Sequence, residues 1–117
     1  EGHIEVHIQE DGIKKTMRLG PGDMYLHPAK IPHSPVRHEN SIGLVIERKR
    51  NHMNVDDGLL WFCDNCNHKL YEAYFTLNDI EKDFLAHFKY FYNSKELRTC
   101  SNCGTVMPVD ERFIAKN

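Results

Sequence analysis

The chain contains no apolar run approaching the length of a membrane span, and no signal-peptide pattern opens it. It also lacks an excess of basic charge: Lys and Arg total 15 against 17 Asp and Glu, for a formal net charge of −2. That balance argues against nucleic acid as a partner, which normally requires a clustered basic face. The short basic run Arg48-Lys49-Arg50 is assigned to solvent. There is no internal repeat and no low-complexity segment. An initiator Met is missing as well, and Glu1-Gly2-His3-Ile4-Glu5-Val6 begins directly in strand-like alternation, so the natural beginning is expected to lie upstream. With no membrane or export signal, the cytoplasm is the expected location.

What is present points to metal chemistry. Eight histidines and four cysteines occur in 117 residues, a length that suits one ordinary domain with or without a small appendage. His3 to Ile8 alternates as a half-buried strand does, with Ile4, Val6 and Ile8 on one face and His3, Glu5 and His7 on the other. Glu10-Asp11-Gly12 is turn chemistry, and Lys14 to Leu19 alternates again, which predicts a hairpin. Gly20-Pro21-Gly22-Asp23 is a second turn, and Met24 to Leu26 is expected as a third short strand. Ser41 to Arg50 is the longest β-like run. Short strands punctuated by Gly and Pro predict an antiparallel sandwich or barrel.

The character changes after a polar stretch from Asn51 to Gly58. Leu59-Leu60-Trp61-Phe62 leads into Cys63, and Lys69 to Leu77 reads as a strand rich in aromatics. Asn78 is placed to cap a helix over about 79–92, with Glu81 three residues on completing a capping box. Ile80, Phe84, Leu85, Phe88 and Phe91 recur at helical spacing, the mark of a buried helix face.

Cys63-Asp64-Asn65-Cys66 and Cys100-Ser101-Asn102-Cys103 are two C-x-x-C pairs. Two residues between thiolates let both sulfurs approach one metal from a tight turn, and a second such knuckle completes a tetrahedral four-sulfur site. Gly104 follows the second pair, whereas Asn67 stands where a glycine often follows the first. Two disulfides are the bland reading, and nothing marks the chain as secreted. A redox dithiol explains one pair and leaves the other idle. A closed four-sulfur site has no open position, so a structural or electron-storing role is expected, with zinc or iron. His68 is placed to hydrogen-bond near the sulfurs as a supporting group.

A second constellation is His33, Arg37 and Glu47. In an extended segment residues at i and i+4 face the same way, so His33 and Arg37 share a face. A neutral imidazole is a good iron ligand and a guanidinium forks a carboxylate. Each has a bland reading: His33 as a hydrogen-bonded histidine, Arg37 and Glu47 as a surface ion pair worth little. His27 is not counted as a ligand, and His3 and His7 are read as exposed strand histidines.

Gly22-Asp23, Pro28 and His33 match the G-D-x-x-x-x-P-x-x-x-x-H motif, so the segment resembles the cupin family. His33-Ser34-Pro35-Val36-Arg37 and Leu44-Val45-Ile46-Glu47-Arg48 narrow the resemblance. Together with Trp61-Phe62-Cys63-Asp64-x-Cys66 and Cys100-x-x-Cys103, they make the chain similar to the 3-hydroxyanthranilate 3,4-dioxygenase family, in its type with a rubredoxin-like metal site near the C-terminus. The resemblance implies a mainly β fold: a cupin double-stranded β-helix (jelly roll) over residues 1–58, incomplete at its N-terminus. A rubredoxin-like, four-cysteine metal-binding extension with one helix follows over 59–117.

It also implies roles. His33 is one ligand of a catalytic Fe(II) whose other His and Glu would lie upstream, with Gly2 closing the missing motif. Arg37 pairs with the substrate carboxylate. Glu47 is catalytic, accepting a hydrogen bond from the substrate hydroxyl or amine and assisting its deprotonation. Cys63, Cys66, Cys100 and Cys103 hold Fe or Zn. The substrates are 3-hydroxyanthranilate and O2, the product is 2-amino-3-carboxymuconate semialdehyde on the route to quinolinate, and a homodimer is expected. The 117-residue chain alone is expected to be inactive. A different cupin dioxygenase and a non-catalytic zinc-binding module are the alternative readings.

Overall fold

The computed structural model describes residues 2–47 and 56–114. The chain divides into two compact units, Glu1–Glu47 and Arg48–Asn117. Among the described residues no helix is long and apolar enough to cross a membrane.

In the first unit, β1 (Ile4–Glu10), β2 (Ile13–Leu19) and β3 (His33–Arg37) form an antiparallel sheet of order β2-β1-β3. The predicted hairpin is there. Asp11 and Gly12 both have positive φ, 54° and 75°, as a two-residue turn that follows the strand twist requires. Alternation along β1 turns Val6 and Ile8 inward, at 7% and 6% exposure. On the opposite face His7 Nδ1 meets Thr16 Oγ1 at 2.9 Å across the register, and the His3 ring lies 4.3 Å from that of His38. His3 and His7 are thus half-buried, not exposed, and each has its own neighbour.

The turn after β2 is built on Pro21 and Gly22, the latter at φ 83°. Asp23 closes it twice: its N–H donates to Gly20 O at 3.1 Å and its Oδ2 accepts from Gly20 N at 2.8 Å. Gly2 is also obligatory, since a Cβ there would sit 2.8 Å from Asn40 O and from Ser41 Cα.

Two expected strands do not form. Met24 to Leu26 and residues 41–47 pair with no strand among the described residues, and Arg48 to Arg50 lie outside them. The residues are apolar enough for a sheet, yet Met24 and Leu26 are 95% and 93% exposed, and Leu44 and Ile46 are both 87% exposed. β-propensity describes fit to a pleated, half-buried surface, and without a neighbouring strand it has nothing to fit.

The second unit opens with β4 (Asp57–Phe62) and β5 (Lys69–Phe75), an antiparallel pair whose connection carries the first knuckle. Asp57 and Gly58, which the resemblance places at the end of the first domain, already belong to this pair. A Cβ on Gly58 would lie 2.7 Å from the Tyr74 ring, so the strand needs glycine there. Then come α1 (Ile80–Tyr92), a single-turn α2 (Lys95–Arg98) and a 3-10 turn, Glu111–Phe113. The expectation of one helix is corrected by α2, which Ser94 caps by accepting from Leu97 N at 3.2 Å.

The cap of α1 differs from the expectation by one residue. Asp79, not Asn78, is the N-cap, and its Oδ1 accepts from Glu81 N and Lys82 N, both at 3.0 Å. Asp83 rather than Glu81 reaches back, with Oδ2 accepting from Asn78 N at 2.9 Å and Asp79 N at 3.0 Å. The N–H groups of Asp79 and Asn78 hold the Asp83 carboxyl below its ordinary value. Two carboxylates at the positive end of the helix satisfy its free donors more strongly than an amide would.

The core of this unit is aromatic. Phe91 is 1% exposed and stacks on Trp61 at 4.6 Å, with Tyr71 beside both, 6.2 Å from Phe91 and 5.8 Å from Trp61. Phe88 meets Trp61 edge-on, and Phe113 packs against both Phe88 and Tyr92. Phe84, Phe88 and Phe91 form the inward stripe as predicted. Ile80 and Leu85 remain 61% and 39% exposed, and His87, stacked on Phe75 at 4.5 Å, flanks the stripe on its other side. The aromatic stack predicts unequal costs. Phe91→Ala is expected to destabilise the chain by about 3–5 kcal/mol, and Asp79→Ala by about 1 kcal/mol, both measured by denaturant unfolding.

Candidate metal centre

The four cysteines converge. Their sulfurs all lie within 4.8 Å of one another, with Cys63 Sγ to Cys103 Sγ at 3.6 Å and Cys66 Sγ to Cys100 Sγ at 3.5 Å. A metal–sulfur bond of about 2.3 Å in a tetrahedron sets neighbouring sulfurs about 3.8 Å apart, so the spacing fits a metal tetrathiolate. All four are free thiols, which removes the disulfide reading. Among the described residues this is the one group of three or more such donors that could hold a metal.

The backbone builds both knuckles alike. Cys63 N donates to His68 O and Cys100 N to Thr105 O, each at 2.8 Å. Asn67 N returns to Cys63 O and Gly104 N to Cys100 O, each at 2.9 Å. Asn67 and Gly104 both take positive φ, 63° and 79°. Asn is the residue other than glycine that visits this region most readily, which explains its presence at the glycine position. Asn65 N donates to Cys63 Sγ and Asn102 N to Cys100 Sγ, both at 3.4 Å.

The legs are fastened outside the loops. Met107 N donates to Arg98 O at 2.9 Å, Arg98 Nη1 to Met107 O at 2.7 Å, and Thr99 bridges Val106. Asp64 N donates to Met107 Sδ at 3.3 Å, joining the first knuckle to the segment after the second. His68 supports the site as expected: its Nε2 lies 3.3 Å from Ser101 Oγ, and its backbone N–H bonds the sulfur of Cys66.

Cys63 and Cys100 are buried at 2% exposure, Cys66 is half-buried and Cys103 exposed. The Asn65 side chain, then the hydroxyl and N–H of Thr105, draw the Cys103 thiol down to about 5. Asn102 lowers Cys66. At neutral pH these groups favour the thiolate that a metal needs. Asn65, Asn102 and Thr105 were not singled out from sequence.

In the first unit, the register Ile8↔His33 and Ile4↔Arg37 puts both residues on the sheet face of Val6 and Ile8, as expected for a shared side. The ring of His33 is fixed from behind. Its Nδ1 donates to Ile31 O at 3.3 Å, which leaves Nε2 as the basic nitrogen. His27, 4.1 Å away between ring centroids, donates from Nε2 to the same oxygen at 2.7 Å. Arg37 extends past Gly43, where a Cβ would come within 3.2 Å of its Nη1. Glu47 lies exposed at the end of the stretch 41–47.

In metal-free chain, iodoacetamide at pH 6.5 is expected to modify Cys103 first, well ahead of Cys63 and Cys100. One equivalent of zinc is expected to protect all four, and peptide mass mapping reads both outcomes.

The family model for 3-hydroxyanthranilic acid dioxygenase matches residues 1–92. A 3-hydroxyanthranilate 3,4-dioxygenase of Xanthomonas campestris pv. campestris is 50% identical over 115 residues, 98% of this chain and 65% of the relative. One of the same name from Xanthomonas oryzae pv. oryzae is 48% identical over the same shares. One from Bacillus cereus is 45% identical over 101 residues, 86% of this chain and 56% of the relative. The chain therefore spans somewhat less than two thirds of the length of these relatives. On the match of its first 92 residues and the identity running through nearly all of its length, the chain belongs to the 3-hydroxyanthranilic acid dioxygenase family.

Proposed function

We propose that the chain is part of an iron-dependent dioxygenase that opens the ring of 3-hydroxyanthranilate, giving 2-amino-3-carboxymuconate semialdehyde. The observation that carries the reading is 50% identity, over 98% of the chain, to relatives bearing that activity as their name. In this reading the first unit is part of a cupin domain, the second a rubredoxin-like extension, and the working protein a cytoplasmic homodimer.

The residues present fit the chemistry. His33 offers Nε2 to the metal while its Nδ1–H, held by Ile31 O, fixes the ring. Ferrous iron bound there supplies electron exchange between an electron-rich ring and O2. Arg37, on the same sheet face, pairs with the carboxylate of the substrate through two parallel N–H bonds and sets its orientation. Glu47 accepts the proton of the substrate hydroxyl or amine. One imidazole is a single donor of the three that a two-His, one-carboxylate centre needs. The 117-residue chain by itself is therefore assigned no ring cleavage.

The reading is tested in a protein of the full length of the Xanthomonas relatives that carries these residues. His33→Ala is expected to abolish iron binding at the catalytic centre and ring opening together. Arg37→Ala is expected to keep iron but lower kcat/KM by about 10- to 100-fold, the worth of a charged hydrogen bond, and Arg37→Lys to recover only part of it. Metal analysis should find two metals per complete chain. An Arg37→Ala variant with unchanged kcat/KM would favour a cupin enzyme of different chemistry, and one metal per chain would favour a zinc-binding module.

A further inference from the structure

A second pattern lies within the cysteine pattern. Both knuckles read Cys-x-Asn-Cys, with Asn65 and Asn102 at the same place in each. The backbone N–H of each asparagine bonds the first sulfur of its own knuckle. The side chains cross over. Asn102 Nδ2 donates to Cys66 Sγ at 3.4 Å, and the Asn65 side chain bonds the sulfur of Cys103. Four bonds from two residues thus reach each of the four sulfurs once.

We propose that Asn65 and Asn102 are positioning residues of the metal centre, a reciprocal pair of amide-to-sulfur bridges that holds the two knuckles at metal-binding separation. The inference rests on the four-sulfur reading and names what supports it. The crossing bonds end on Cys66 and Cys103, the two sulfurs that are not buried. Water reaches those sulfurs most easily, and a neutral amide donor covers them without adding charge. The side chain suits the task by composition: aspartate has no donor to offer a thiolate, and leucine has the bulk without the N–H.

Two consequences follow from ordinary metal chemistry. Hydrogen bonds to ligating sulfurs orient them and strengthen retention, and outer partners of this kind are typically worth about 10- to 100-fold in metal affinity. They also disperse negative charge on sulfur, which favours the more negative, reduced state of an iron tetrathiolate. The asparagines therefore act on both hold and potential.

The test uses the 117-residue chain with Asn65→Leu, Asn102→Leu and the double variant, loaded with zinc or with iron. Each single variant is expected to bind one metal per chain but release zinc to excess chelator about 10-fold faster, and the double variant faster still. The iron-loaded double variant is expected to be harder to reduce than the parent, a shift that a mere packing defect would not impose. Asn65→Asp and Asn102→Asp, nearly the same size as the parent residue, give the same two readouts if a leucine variant does not fold. A double variant with the parent's release rate and potential overturns the proposal. A parent chain that takes up no metal fails before any substitution is compared, and sinks the four-sulfur reading along with it.

Discussion

The meeting of four sulfurs from two distant loops is the constraint around which the second unit is organised. Cys63 follows the first strand of a hairpin and Cys100 follows a single helical turn, and between them lie one strand and the whole of α1. Small domains gain little from burial alone. Here the buried apolar set is short, with Phe91, Cys63 and Cys100 the well-covered members of this unit. A metal held by these sulfurs would tie the hairpin to the second knuckle and add cohesion where area is scarce. The aromatic stack then does a different task. Phe91, packed against both Trp61 and Tyr71, fixes the helix against the hairpin, so that the second knuckle arrives opposite the first.

The first unit follows another logic. Its hairpin is locally determined, because Asp11 and Gly12 take the turn conformation that the strands demand. Its third strand brings His33 and Arg37 to the apolar side of the sheet. The backbone oxygen of Ile31 takes a donor from both His27 and His33, so one carbonyl orders two imidazoles.

How much of this was legible depended on whether the information was local. The hairpin, the Pro21-Gly22 turn, the inward stripe Phe84, Phe88 and Phe91, and the four cysteines all follow from spacing within a few residues. The paired knuckles were readable because turn chemistry fixes the sulfur geometry. Met24 to Leu26 and the stretch from Ser41 were misread as strands because a strand is a relation between segments, and apolar alternation cannot supply the partner. The cap of α1 moved from Asn78 to Asp79 because Asp83, one turn on, receives two backbone donors and fixes where the first turn starts. The crossed amides of Asn65 and Asn102 were invisible for the same reason as the missing strands: each spans two loops far apart in the chain. The repeated Cys-x-Asn-Cys spelling was the available signal.

Trp61 is the sole tryptophan of the chain, and it lies face to face with Phe91 and two residues before Cys63. Indole emission is therefore a reporter of the second unit. Light absorbed there samples the aromatic stack and the first knuckle together, so a bound ion with low-lying charge-transfer bands darkens it while a closed-shell ion leaves it bright. The fold has set a lamp beside its four sulfurs.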